Sequence, residues 1–206
     1  MKSTILSMAL LAASISFIAC DSKESSSSET TEETAGLPDG TLSVDTTASE
    51  VMWKGSMVGM YDHSGDVKLE SGNVTVADGK ITGGKFVIDL TSITPTDSNY
   101  KEDKTPEKLV GHLSSEDFFH VEQYPTATFD ITGSEGNTVM GNLTVRGKTN
   151  PEKVENVVIS EENGQMHLKG DIKFDRTKYD VAFKHPMQEM VISNDIEMNV
   201  TLVANK

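Results

Sequence analysis

From Thr41 onward, apolar and polar residues alternate along the chain. Val51, Trp53, Gly55 and Met57 fall on one side of the period and Met52, Lys54 and Ser56 on the other, the spacing of a strand with one buried face. Val67 and Leu69 share a face, and Val74 and Val76 resume it one residue out of phase after Ser71-Gly72, which predicts a bulge or sharp bend at Gly72. Asp78-Gly79 is a hairpin signal. Residues 80–90 then direct Phe86, Ile88 and Leu90 inward, with Gly83-Gly84 allowing a bend. Residues 91–104 are polar and patternless around Pro95 and predict a surface loop. Further runs alternate at Ala127, Phe129 and Ile131, and at Val139, Gly141, Leu143 and Val145. Residues 146–151 read as a turn, and a weaker run at 154–160 turns Val157 and Ile159 inward. Asn163-Gly164 is a second hairpin signal, ahead of Met166, Leu168, Gly170, Ile172 and Phe174. After a turn region at 178–188, a final strand carries Ile192, Ile196, Met198, Val200, Leu202 and Ala204 on one face.

Residues 105–129 change period partway. Thr105-Pro106-Glu107 is a helix start, with a hydroxyl cap, proline at the first helical position and an acid in the first turn. Leu109, Val110 and Leu113 follow at helical spacing. Ser114-Ser115-Glu116-Asp117 predicts a second short turn with Asp117 reaching back as its cap, and Phe118 and Phe119 follow as anchors. Pro125 disfavours helix at Tyr124 and opens the next strand. About eight strands at hairpin spacing, without a βαβ rhythm, exclude a parallel sheet and leave a sandwich or a closed barrel. The mid-strand glycines 72, 83, 84, 141 and 170 favour a curved, closed sheet. The expected fold is therefore all-β: an extended eight-stranded antiparallel barrel with a short helical insert around 105–120.

Composition alters the picture mainly at the N-terminus. Lys2 followed by an apolar run over residues 5–19 reads as a secretory signal peptide, too short for a spanning helix. Cys20 is the only cysteine of the 206 residues, so no intramolecular disulfide can form. Phe17-Ile18-Ala19-Cys20 resembles a bacterial lipobox, although Phe17 stands where leucine is usual. Lipid attachment at Cys20 is expected, and with it an exported, acyl-anchored protein facing the periplasm or cell surface. Residues 20–40, rich in Ser, Thr and Glu, read as a flexible tether, and 41–206 as the folded domain. The formal charge of −14 offers no basic footprint for nucleic acid.

Three motifs resemble those of the YceI-like family. Residues 111–129, Gly-His-Leu-Ser-Ser-Glu-Asp-Phe-Phe through Tyr124-Pro125 to Phe129, are similar to its hallmark segment. Residues 141–149, Gly-Asn-Leu-Thr-Val-Arg-Gly-Lys-Thr, look like its strand-and-turn motif, and Asp175-Arg-Thr-Lys-Tyr179 resembles a third element. Val110-Gly111 replaces the Arg-Asp common in relatives, and the loop at 94–106 is long and charged; both are expected near a cavity mouth. The resemblance implies a lipocalin-like barrel holding a long-chain isoprenoid or similar amphiphile in an apolar interior.

On that footing the candidate ligand contacts are Trp53, Phe86, Phe118, Phe119, Phe129, Leu143, Phe174 and Met198, with Arg176 and Tyr179 as either headgroup contacts or structural pairs. Whether the inward side chains line a cavity or fill it is left open by the pattern. His112 and His120 flank Glu116 and Asp117, but two histidines on different local structures fall short of the three or four converging ligands a metal needs. His63, His167 and His185 stand isolated, and no nucleophile–base motif, phosphate loop or zinc-type cysteine spacing is present. The expected function is an envelope protein that carries or sequesters an amphiphilic lipid, with no cofactor beyond a bound isoprenoid or fatty-acid-like lipid, no enzymatic activity, and room for a homodimer. The alternatives are a packed barrel acting in envelope stress or interaction without ligand, and an enzyme on a hydrophobic substrate.

Overall fold

Two-residue turns set the frame. Asp78-Gly79, Arg146-Gly147 and Asn163-Gly164 each place both residues at positive φ (52° and 69°, 49° and 71°, 54° and 80°), the type I′ geometry whose twist matches paired strands. The computed structural model describes residues 36–184, 187 and 191–205. The signal peptide, Cys20, most of the tether and His185 lie outside them.

The elements in chain order are β1 (Gly40–Val44), β2 (Glu50–Met57), β3 (Tyr61–Ala77), β4 (Lys80–Pro95), α1 (Pro106–Ser114), β5 (Thr126–Glu135), β6 (Thr138–Val145), β7 (Lys148–Glu162), β8 (Gln165–Asp175), a 3₁₀ turn (Arg176–Tyr179) and β9 (Ile192–Asn205). Strands β2 to β9 pair antiparallel with their sequence neighbours, and β2 pairs with β9, so an eight-strand ring closes. The short β1 extends the β2 stave, pairing β3 through Gly40–Ser43 and the end of β9 through Ser43 and Val44. The two are joined by a kink in which the Ser49 hydroxyl donates to Asp45 O (2.6 Å) and accepts from Val203 N (2.9 Å). Closure leaves the ring without a free edge.

Alternation predicts burial well. Along β6 every second residue, Val139, Gly141, Leu143 and Val145, is buried, and β8 repeats this with Met166, Leu168, Gly170, Ile172 and Phe174. The break in β3 is a register shift between Leu69 and Ser71, so the extra residue is Glu70, just ahead of Gly72. Gly84, at φ 142°, lies so close to the β3 backbone that a Cβ would strike Asn73 O.

Four local expectations need correction. β4 continues to Pro95, because Gly65 and Asp66 of the long β3 extend the ladder to Pro95 and Thr94; the connecting loop is only 96–105. The turn read at 146–151 is two residues long, and Pro151 lies within β7 opposite Asn142. Asp117 is exposed and does not cap its turn; the 114–121 backbone is tied instead by Phe118 N and His120 N to Ser115 O and by Val121 N to Ser114 O. Leu37, inside the segment read as tether, is buried in the core.

Helix α1 begins as expected, with Thr105 Oγ1 accepting from Lys108 N (3.4 Å) and Pro106 in the first turn. It packs beside β4 and buries Leu113, while Leu109 lies partly buried against the core. The turn after it is pinned from two sides. Arg146 Nη1 donates to Phe118 O, and the Arg176 guanidinium lies 5.7 Å from the Phe118 ring centroid.

Candidate functional site

An eight-strand ring is wide enough either to be filled by side chains or to hold one small ligand. Here it does both. Towards α1 the interior opens into a cavity of about 460 Å³, and deeper lies a second of about 110 Å³. Trp53 from β2, Leu143 from β6, Phe174 from β8, Met198 from β9, and Phe118 and Phe119 from the turn after α1 line the larger one. Phe86 and Phe129 line the smaller one, which Leu143 and Met198 also reach. The Trp53 indole N–H donates to Asp66 O (3.2 Å), so its polar edge is satisfied and its ring is left to the interior.

Arg176 and Tyr179 line neither cavity. Both are buried. Arg176 donates from Nε to Ser193 O (2.9 Å) and from Nη1 to Val181 O, fastening the 3₁₀ turn to the start of β9. Burial lowers the pKa of its guanidinium. Tyr179 donates to the Glu152 carboxylate (3.0 Å) and packs edge-on to Phe174. The contacts they make here are structural: Arg176 lies over the Phe118 ring and Tyr179 against Phe174.

The larger cavity reaches solvent where Asp103, Lys104 and Lys108, all exposed, join its lining. Across from them stand Tyr61 and His63 of β3, with Tyr100 stacked on His63 at 4.9 Å. Asp97 organises this mouth. Its carboxylate accepts from Ser64 N (3.0 Å), Asn99 N (2.8 Å) and Tyr100 Oη (2.9 Å), and lies 3.2 Å from His63 Nδ1. Burial works to raise the Asp97 pKa, but these hydrogen bonds outweigh it and hold it below the usual range. Burial, with Asp97 beside it, pushes the Tyr100 phenol well above its ordinary value. The result is a latch that fastens loop 96–105 to β3.

His112 lines the larger cavity and packs edge-on against Phe118 and Phe183, while His120, at φ 50°, packs against Tyr124. Among the described residues no group of three His, Cys, Asp or Glu side chains converges as a metal site would require. His63, Tyr100 and Phe183 escaped the sequence reading. His63 looked isolated because Asp97 and Tyr100 are more than thirty residues away, and Phe183 lies in the region read as a turn. The length of loop 94–106 was the available signal, and Tyr100, Asp103, Lys104 and Thr105 do contribute to the lining.

Comparison with known proteins bears on this architecture. Residues 42–204 match the YceI-like domain model. A 56-residue stretch, 25% of this chain, is 41% identical to UPF0312 protein YE1254 of Yersinia enterocolitica, and spans 29% of that relative's length. Among solved structures, Burkholderia cenocepacia BcnA superposes with a TM-score of 0.61 at 19% identity, over 79% of this chain and 99% of that one. A polyisoprenoid binding domain from Saccharophagus degradans, implicated in plant cell wall breakdown, superposes with a TM-score of 0.55 at 16% identity, over 80% and 97%. At such identities the superpositions establish a shared fold. The family match spans all but the first few residues of the barrel wall, and with it the chain belongs to the YceI-like domain family.

Proposed function

We propose that this protein holds one long-chain amphiphile, of the isoprenoid quinone or polyprenyl phosphate class, inside its barrel, as a carrier or sequestering protein of the cell envelope. The observation that carries the reading is the cavity of about 460 Å³, walled by Trp53, Phe118, Phe119, Phe174 and Met198, with exposed polar side chains at its mouth. A chain in that interior gains about 25 cal/mol for each Å² of apolar surface removed from water. The few polar groups at the mouth set its orientation. The Saccharophagus domain of like fold, described as polyisoprenoid binding, supports the same class. The reading is of binding rather than catalysis: the carboxylate in the lining, Asp103, is exposed at the mouth, and Asp97 behind it is already engaged by three hydrogen-bond donors and His63.

Native mass spectrometry after gentle purification tests this. A co-purifying lipid, or uptake of a quinone or prenol, is expected; an empty barrel that takes up neither refutes it. We further propose that Cys20 carries the acyl anchor. Cys20→Ala should move the protein from the membrane to the soluble fraction, and unchanged membrane association overturns the anchor.

A further inference from the structure

The two cavities meet at three side chains, Ile88, Leu143 and Met198, which line both. They come from β4, β6 and β9. Around the ring, β5 separates the first two, β7 and β8 the next, and β2 and β3 the last. The three therefore close on the interior from different sides.

They differ in how readily they can move. Ile88 is β-branched and stiff at χ1. Leu143 is buried opposite Phe129 on the neighbouring strand. Met198 is unbranched and half-buried, with three rotatable bonds. Its backbone is held in the ladder on both sides, opposite Trp53 and Ile172, so only the side chain is at liberty. Beyond it lies an apolar void of about 110 Å³, whose lining lacks packing partners on one side.

We propose that Met198 is a movable partition that makes the barrel select hydrocarbon chains by length. A short chain occupies the outer cavity alone. A longer chain turns the Met198 side chain aside and ends in the inner cavity, gaining the contacts the void lacks. The proposal rests on the amphiphile reading above and adds the residue that sets the preferred chain length.

The test uses the full chain, stripped of lipid, with geraniol, farnesol and geranylgeraniol as probes and the emission of Trp53, the only tryptophan, as readout. Wild type should prefer the longest probe over the shortest by about tenfold or more. Met198→Phe, which narrows the passage without adding a second tryptophan, should weaken geranylgeraniol binding at least about fivefold more than geraniol binding. Met198→Ala, which widens it, should tighten geranylgeraniol binding, and it guards against a Phe variant that fails to fold. Length-independent binding by wild type, or a Met198→Phe effect equal for all probes, overturns the partition but leaves the amphiphile reading standing. Wild type that binds none of the probes overturns both.

Discussion

Tyr179→Phe removes one oxygen from the 3₁₀ turn that follows β8 and little else. The ring is fully buried and packs edge-on to Phe174 at 5.5 Å, contacts that phenylalanine keeps. The hydroxyl donates to Glu152 Oε1 at 3.0 Å, and the Glu152 side chain is only 10% exposed. The cation near that carboxylate, Lys178, is 3.9 Å away and itself exposed, so it replaces the lost bond poorly. A hydrogen bond to a charged group contributes about 1.5–3 kcal/mol, and leaving a buried acceptor short places the loss in the upper part of that range, about 2–3 kcal/mol. For a domain of this size each kcal/mol moves Tm by about 2–4 °C, so a fall of about 4–12 °C is expected. Urea unfolding at unchanged m-value measures it directly. In a Glu152→Ala background the same substitution should cost less, because its charged partner is gone. Prenol affinity should not change, since Tyr179 lines neither cavity. A loss below about 0.5 kcal/mol, within the range of inconsequential surface changes, would refute the structural assignment. Weakened binding at intact stability would show instead that the hydroxyl holds a ligand headgroup.

Three further outcomes follow from the same geometry. Asp97→Asn should cost about 1–3 kcal/mol and speed amide exchange in residues 96–105, since the latch at the mouth depends on one buried carboxylate. With its folded pKa depressed, Asp97 contributes stability above the unfolded carboxylate value of about 3.9 that is lost as pH falls through the folded one; denaturation followed into acid should show this loss in wild type and not in Asp97→Asn. Tyr179 and Tyr100 carry the opposite sign. Burial and a neighbouring carboxylate raise both phenols, so their contribution is complete below about pH 10 and is lost as pH rises further, and Tyr179→Phe should flatten the alkaline limb of the stability curve. Gly141→Ala should destabilise by about 1–3 kcal/mol in urea, because its Cβ would enter the Phe129 ring and lie 2.8 Å from Asp130 O.

Much of the barrel wall was legible because its signals are local. Period-two alternation in β6 and β8 maps directly onto burial, and Asp78-Gly79 and Asn163-Gly164 adopt the turn their residue types favour. The Thr105 cap and Pro106 start α1 where the pattern places it. The misreadings have separate causes. Pro95 and Pro151 break local strand signals, yet both lie in strands because a partner strand continues past them. Asp117 satisfied a capping pattern, but Ser115 N, at the start it would reach back to, already donates to His112 O.

The sequence by itself determined which residues face inward, and so that Trp53, Phe86, Phe129, Leu143, Phe174 and Met198 would meet in an apolar interior. Only the tertiary structure decided that this interior is partly open. Cavity volume depends on ring closure and on the helical cover, neither of which any one strand encodes. The same holds for the mouth, where His63 and Asp97 meet across 34 residues of chain, and for Arg176 and Tyr179, whose partners lie on β7, β9 and the turn between. Periodicity encodes a side chain's direction, whereas its company is set by the register of distant strands.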